Sequence, residues 1–206
     1  RGNANGLRLL NGAGFSGEYA SDFATANANV KLTASTVAVT SSINSLILSG
    51  SGAITDAGSS QTITLASASL SGNLLNIANS STIAGANTTI AGGTVELKIF
   101  TPSSMTISSL ITTTGGETKS GAGILTFSTA KTYTGLTSVN GGTLLAGVND
   151  FISSGNITVN GGTLDMATYT DTVGAVIMQN GTITGSTGVL SGTSYNLREG
   201  TVSAII

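Results

Sequence analysis

Asn140-Gly141-Gly142-Thr143-Leu144 returns as Asn160-Gly161-Gly162-Thr163-Leu164, and a shortened form follows as Asn180-Gly181-Thr182-Ile183. Outward from these, Gly123-Ile124-Leu125 comes before and Gly200-Thr201-Val202 after. Five glycine-led tripeptides, beginning at Gly123, Gly142, Gly162, Gly181 and Gly200, thus recur in register along the second half of the chain. Such an internal period takes precedence over every other sequence signal, and here it is about 19–20 residues. A unit of that size is shorter than a propeller blade, and its Gly, Thr and Val content opposes a helical repeat. Each unit reads as two or three strands of about four to five residues, separated by Gly and Asn corners.

A single unit cannot bury its own apolar face. Stacked at about 4.8 Å, each strand pairs with the copy before and the copy after it, and short strands become continuous parallel sheets. The expected fold is therefore all-β: a parallel β-helix, or β-solenoid, with coils of about 19–20 residues and roughly ten coils in all. Asn140, Asn160 and Asn180 are expected to stand above one another, their amides bonded in a ladder. Gly142, Gly162, Gly181 and Gly200 are expected at the corners, because glycine alone accepts positive φ freely.

Composition narrows the function classes. Of 206 residues, 29 are glycine, only 8% are charged and 4% aromatic. Ordinary domains carry about 25% charged residues, so hydroxyls and amides must solvate this surface, as suits a protein outside the cell. A mean hydropathy of +0.32 and regularly placed Val, Ile and Leu argue for a folded chain. Cysteine and histidine are both absent, which removes disulfides, thiolate nucleophiles, the commonest metal ligand and the commonest general base. No catalytic residue, metal or cofactor is assigned. With seven basic and nine acidic residues there is no basic patch, so nucleic acid is not an expected partner. No run of about eighteen apolar residues is present for membrane insertion as a helix. The opening residues lack the apolar core of a signal peptide, and the Ala204-Ile205-Ile206 ending does not read as a natural stop. The expectation is a segment of a longer chain.

The first half is less regular but of the same kind. Ile43–Leu48, Gln61–Leu65, Thr94–Ile99 and Met105–Ile107 are strand-like, with Val95, Leu97 and Ile99 inward and Glu96 and Lys98 outward. The interval between Gly93 and Gly123 is half as long again as one unit and leaves room for a bulge or insertion around Pro102, the one proline, which belongs in a corner. Phe15, Tyr19 and Phe23 are spaced for one face of a short helix, or for an aromatic-anchored loop covering an end or edge of the rod. The chain divides into a glycine and aromatic segment (1–29), irregular coils (30–118) and regular coils (119–206).

One stretch carries a family resemblance. Lys119-Ser120-Gly121-Ala122-Gly123-Ile124-Leu125-Thr126-Phe127-Ser128, then Thr132-Tyr133-Thr134-Gly135 and Val139-Asn140-Gly141-Gly142-Thr143-Leu144, resembles the autotransporter-associated β-strand repeat, or passenger-associated transport repeat. The pattern is Lys-x-Gly-x-Gly, an apolar-Thr-apolar strand, a Tyr-Thr-Gly turn and an Asn-Gly-Gly-Thr-Leu corner. Here Thr129-Ala130-Lys131 replaces the more usual Gly-Ala-Asn before the Tyr-Thr-Gly turn. The resemblance implies a right-handed parallel β-helix in a large secreted or surface bacterial protein, with the repeat associated with export across the outer membrane.

Candidate sites are few. Asp150 and Asp171, like Glu96 and Glu117, are separated by about one repeat and fall on neighbouring coils, where a glycosidase would need two facing carboxyls. Asp165 lies near the same corner. Turn formation explains these aspartates more simply. Gly161-Gly162-Thr163-Leu164-Asp165 holds only a fragment of the calcium-binding Gly-Gly-x-Gly-x-Asp repeat. Tyr133, Tyr169 and Tyr195, with Asp150 and Asp171, are the residues considered for glycan contact, although tyrosines beside glycine corners more often pack there. The expectation is a structural stalk or filament-forming segment, extracellular or on a bacterial surface and not an enzyme. It would associate with the continuation of a larger chain or head to tail with itself. An adhesin-type glycan binder is the alternative, and a polysaccharide-degrading β-helix enzyme the third reading.

Overall fold

The structure is a computed structural model that describes residues 20–24, 26, 28–65, 72–76 and 80–206. Alternation along the chain sets its strands. Gln61-Thr62-Ile63-Thr64-Leu65 buries Ile63 and Leu65, and Ile124-Leu125-Thr126-Phe127 buries Leu125 and Phe127, all fully. Apolar residues two apart point to one side of the pleat, while the intervening threonines point to the other.

The strands fall on three faces. The first carries Asn29–Leu32, Ser45–Leu48, Gly72–Asn76, Leu97–Phe100, Glu117–Ser120 and Thr137–Val139. The second carries Thr36–Val37, Ile54–Thr55, Ser80–Ile83, Ser104–Ile107, Ile124–Phe127 and Thr143–Ala146. The third carries Ser41–Ile43, Gln61–Leu65, Thr88–Gly93 and Leu110–Thr113. Ile157–Asp165 then runs through the corner from the first face to the second, and Thr170–Thr184 continues across all three, followed by Val189–Leu197 and Thr201–Val202. Every pairing between these strands is parallel, and no helix occurs among the described residues. The molecule is a β-solenoid.

Register gives the coil lengths. Along the first face Asn29, Ser45, Asn73, Lys98, Thr118, Ser138, Thr158, Ile177 and Asn196 are successive partners. From Lys98 onward the steps keep the regular period of about 19–20 residues. The two steps before it, Ser45 to Asn73 and Asn73 to Lys98, are longer, and the first, Asn29 to Ser45, is shorter. The solenoid therefore has about eight turns and not the ten expected from a uniform period, because two early coils are long. The stack passes through residues 118 and 119 without a break, since Leu97–Phe100 pairs with Glu117–Ser120.

The stretch from Gly93 to Gly123 holds no insertion. It supplies the first-, second- and third-face strands Leu97–Phe100, Ser104–Ile107 and Leu110–Thr113, and then the next first-face strand. The interval looked long because Gly93 ends a third-face strand, whereas Gly123 precedes a second-face strand. Pro102 sits in the corner between two strands, exposed. Leu97 and Ile99 are fully buried with Lys98 outward, as alternation requires, and Val95 is half-buried. Of the aromatic trio, Phe15 and Tyr19 lie outside the described residues, while Phe23 is buried and its carbonyl accepts a bond from Ser41 Oγ.

Corners bring backbones too close for a side chain. At Gly142, φ is +59° and a Cβ would lie 2.3 Å from the carbonyl oxygen of Gly123. The third face is the irregular one: after Leu110–Thr113, residues 128–136 and 147–156 contain no strand. Single bonds, such as Thr134 N–H to Thr113 O and Lys131 N–H to Asp150 O, hold those two coils there.

Candidate functional site

The strandless third face lies beside the least apolar part of the core. In the coil that starts at Glu117, the first face turns Glu117 and Lys119 inward, the second Leu125 and Phe127, and the third Lys131 and Tyr133; each is at most 5% exposed. Strand alternation forces this. Leu97 pairs with Glu117 and Ile99 with Lys119, so the two charged residues occupy positions that are apolar one coil earlier.

Each buried group solves its desolvation differently. Lys119 Nζ donates to the carbonyl oxygens of Ser120, Gly121 and Gly141, at 3.0, 2.8 and 2.9 Å. It thereby satisfies corner carbonyls of its own coil and the next. Lys131 Nζ donates to Ser109 O at 2.7 Å and stands 4.7 Å from the centre of the Phe127 ring, a cation–π contact. Tyr133 shares a 2.6 Å hydrogen bond with Thr137 Oγ1. Glu117 is the exception: neither carboxyl oxygen has a hydrogen-bond partner.

Burial pushes the Glu117 carboxyl up to about 8, with the Lys131 charge opposing. Burial lowers both lysines to about 8, and Glu117 draws Lys131 partly back up. Tyr133 is raised, by burial first and then by the charges of Glu117 and Asp171. Asp171 rises to about 7 through burial, although its Oδ2 accepts the Ile152 N–H at 2.9 Å.

Among the residues considered for glycan contact, Tyr133 is 2% and Asp171 1% exposed, so both are core residues unavailable to a sugar. Inward positions on the third face put them there. Tyr169 is half-buried, and Tyr195 is 40% exposed with its hydroxyl tied to Gly192 N–H and Leu190 O. Asp150 is exposed with φ of 53° whereas Asp171 is buried, so the two do not form a pair of accessible carboxyls, although the Asp150 charge reaches Asp171. Glu96 and Glu117 are likewise divided: Glu96 accepts from the Thr118 hydroxyl and pairs with Lys98 at 3.7 Å on the surface, while Glu117 is inside. Asp165 accepts the Ala167 N–H in a turn. Among the described residues no cluster of three possible metal ligands occurs.

Asn140, Asn160 and Asn180 are exposed at corners, with Asn160 and Asn180 direct partners, but no hydrogen bond joins their amides. Gly142, Gly181 and Gly200 have positive φ; at the second of the four corners that role falls to Gly161, while Gly162 allows close approach to Val139. Bridging between coils is done instead by Asn149, which accepts from Thr170 N–H, and Asn156, which accepts from Ala175 N–H. Sequence reading passed over these two and the inward lysines. The period-two pattern through Glu117 and Lys119 was the available signal. On the outside of the third face, Thr94, Thr112, Thr114, Thr132 and Thr134 line a shallow trough.

The class is thus a parallel β-solenoid with a polar coil at its middle. Residues 118–146, the coil just described and the start of the next, match the passenger-associated-transport-repeat family. The chain therefore carries a repeat of the autotransporter-associated type, which fits a passenger segment and suggests a secreted or surface protein. No curated protein and no solved structure gives a significant match.

Proposed function

We propose that this chain is a structural spacer in an extracellular, autotransporter-like passenger, extending or displaying other parts of a larger protein, and that it is not an enzyme. The single observation that supports this most is the continuous first-face column through about eight coils, with nearly every inward position devoted to packing. At about 4.8 Å per coil the described stack extends for about 40 Å. The candidate acids do not converge, which counts against the polysaccharide-hydrolase reading. The coil at Val189–Leu197 presents Tyr195 and Leu197 to solvent, and beyond the bridge from Val189 to Ile205 its outer edge has no strand partner among the described residues. A further coil of the same protein, or a second copy stacked head to tail, would cover it.

An adhesin reading draws on the threonine trough, whose hydroxyl and methyl groups suit a neutral glycan. A glycan array and a polysaccharide turnover panel test the two together. The spacer reading predicts neither retention nor turnover. Retention that disappears in Thr114→Val with Thr134→Val would replace it with the adhesin reading.

A further inference from the structure

The resemblance expects an asparagine where this chain has Lys131, and opposite that departure stands Glu117, buried without a partner for either oxygen. The two sit on different faces of one coil and interact through the core. Lys131 Nζ is held back by Ser109 O and by the Phe127 ring, so it offers the carboxyl charge but no hydrogen bond. We propose that Glu117 and Lys131 make a proton-operated latch in the repeat coil: the coil stays closed while the Glu117 carboxyl holds its proton, and opens locally along the strandless third face when that proton leaves to water.

Three features support the latch beyond the pair itself. An ionised carboxylate in the core without donors is among the costliest buried groups, and exposure relieves it. The adjoining wall is the weakest available, because residues 128–136 and 147–156 have isolated bonds in place of a strand ladder. The remaining surroundings do not neutralise the carboxylate. Above and below it, Thr137 and Leu97 carry no charge. On its own strand Lys119 is committed to three carbonyls. Across the core are Lys131 and Tyr133, and further along Asp171 with Asp150 beside it adds only like charge.

The sign follows from linkage. Opening returns Glu117 to its ordinary range from about 8, so opening releases a proton and is favoured by rising pH between those limits. Below about 7 both lysines are protonated open or closed and add no slope, and between about 7 and 8 they oppose the Glu117 term weakly.

Hydrogen exchange by mass spectrometry, corrected for the intrinsic pH dependence, reads this directly. In peptides spanning 117–120 and 131–139, protection is expected to fall at least about tenfold from pH 5.5 to 7.5, while 157–165 in the same molecule loses clearly less. The isosteric Glu117→Gln is expected to abolish that fall. In Lys131→Met the fall is expected to continue to a higher pH before levelling, because the cation favouring the ionised carboxyl is gone. A Glu117→Gln chain that keeps the original slope, or a Lys131→Met chain that levels at the same pH, overturns the latch.

Discussion

Lys119 Nζ lies 2.9 Å from the carbonyl oxygen of Gly141, which stands at the equivalent corner of the next coil. One buried ammonium thus ties two successive corners, and the same Nζ bonds Ser120 O and Gly121 O. Lys119 opens the Lys-x-Gly-x-Gly stretch, and its side chain explains why a cation belongs at an otherwise apolar position. Replacing it with methionine keeps the volume and strands three carbonyls. Lys119→Met is expected to lose about 2 kcal/mol in chemical denaturation, with the loss concentrated in the coils on either side.

Tyr133 fills the core of the same coil and ends on Thr137 Oγ1. Tyr133→Phe removes one hydroxyl and leaves the threonine oxygen without that partner. The expected cost is about 1 kcal/mol, measured by the denaturation midpoint, with the far-ultraviolet spectrum unchanged.

Glycine corners differ in what they demand. Gly58 has φ of +72° with open space where a Cβ would go, whereas Gly142 combines φ of +59° with a backbone oxygen at 2.3 Å. Gly58→Ala is expected to cost about 1 kcal/mol, the conformational share alone. Gly142→Ala is expected to cost clearly more, since two backbones must separate. Parallel thermal melts of the two variants check the difference.

Acid should stabilise this protein over a range where many proteins begin to lose stability. Glu117 and Asp171 have folded values raised to about 8 and about 7, so the folded chain binds more protons than the unfolded chain below those values. Stability is then expected to rise as pH falls from 8 toward 5, while the lysines, protonated in both states at the lower end, contribute no slope there. The melting temperature at pH 5 is expected to exceed that at pH 8 by at least about 5 °C. Asp171→Asn, which retains an acceptor for Ile152 N–H, is expected to remove Asp171's share of the difference.

The regular half of the fold was legible because its corners repeat. Gly142, Gly181 and Gly200 carry positive φ at spacings that the chain displays openly. The irregular half was legible as strands but not as coils, since the long steps from Ser45 to Asn73 and from Asn73 to Lys98 have no repeated corner to mark them. Among candidate residues, Asp150 and Asp171 were correctly on neighbouring coils, but sequence spacing does not say whether a side chain is buried where the strand is interrupted. The asparagine ladder failed for a related reason: exposed amides at a corner have water as a competitor, and nothing compels them to bond one another. The inward polar cluster was visible in principle, because Glu117 and Lys119 keep the period-two phase of Leu97 and Ile99. Charged residues are seldom placed in a core by pattern alone, so phase was outweighed by residue type.

The central claim is the in-register parallel stack, and one distance tests it. Lys98 and Asn196, both exposed, lie in one column of the first face, separated by five coil steps through Thr118, Ser138, Thr158 and Ile177. The chain has no cysteine, so Lys98→Cys with Asn196→Cys takes spin labels at those two sites only. Double electron–electron resonance is expected to give a single narrow distribution centred at about 24 Å, the sum of five steps of about 4.8 Å. A broad distribution, or a centre beyond about 35 Å, would contradict the stacked solenoid.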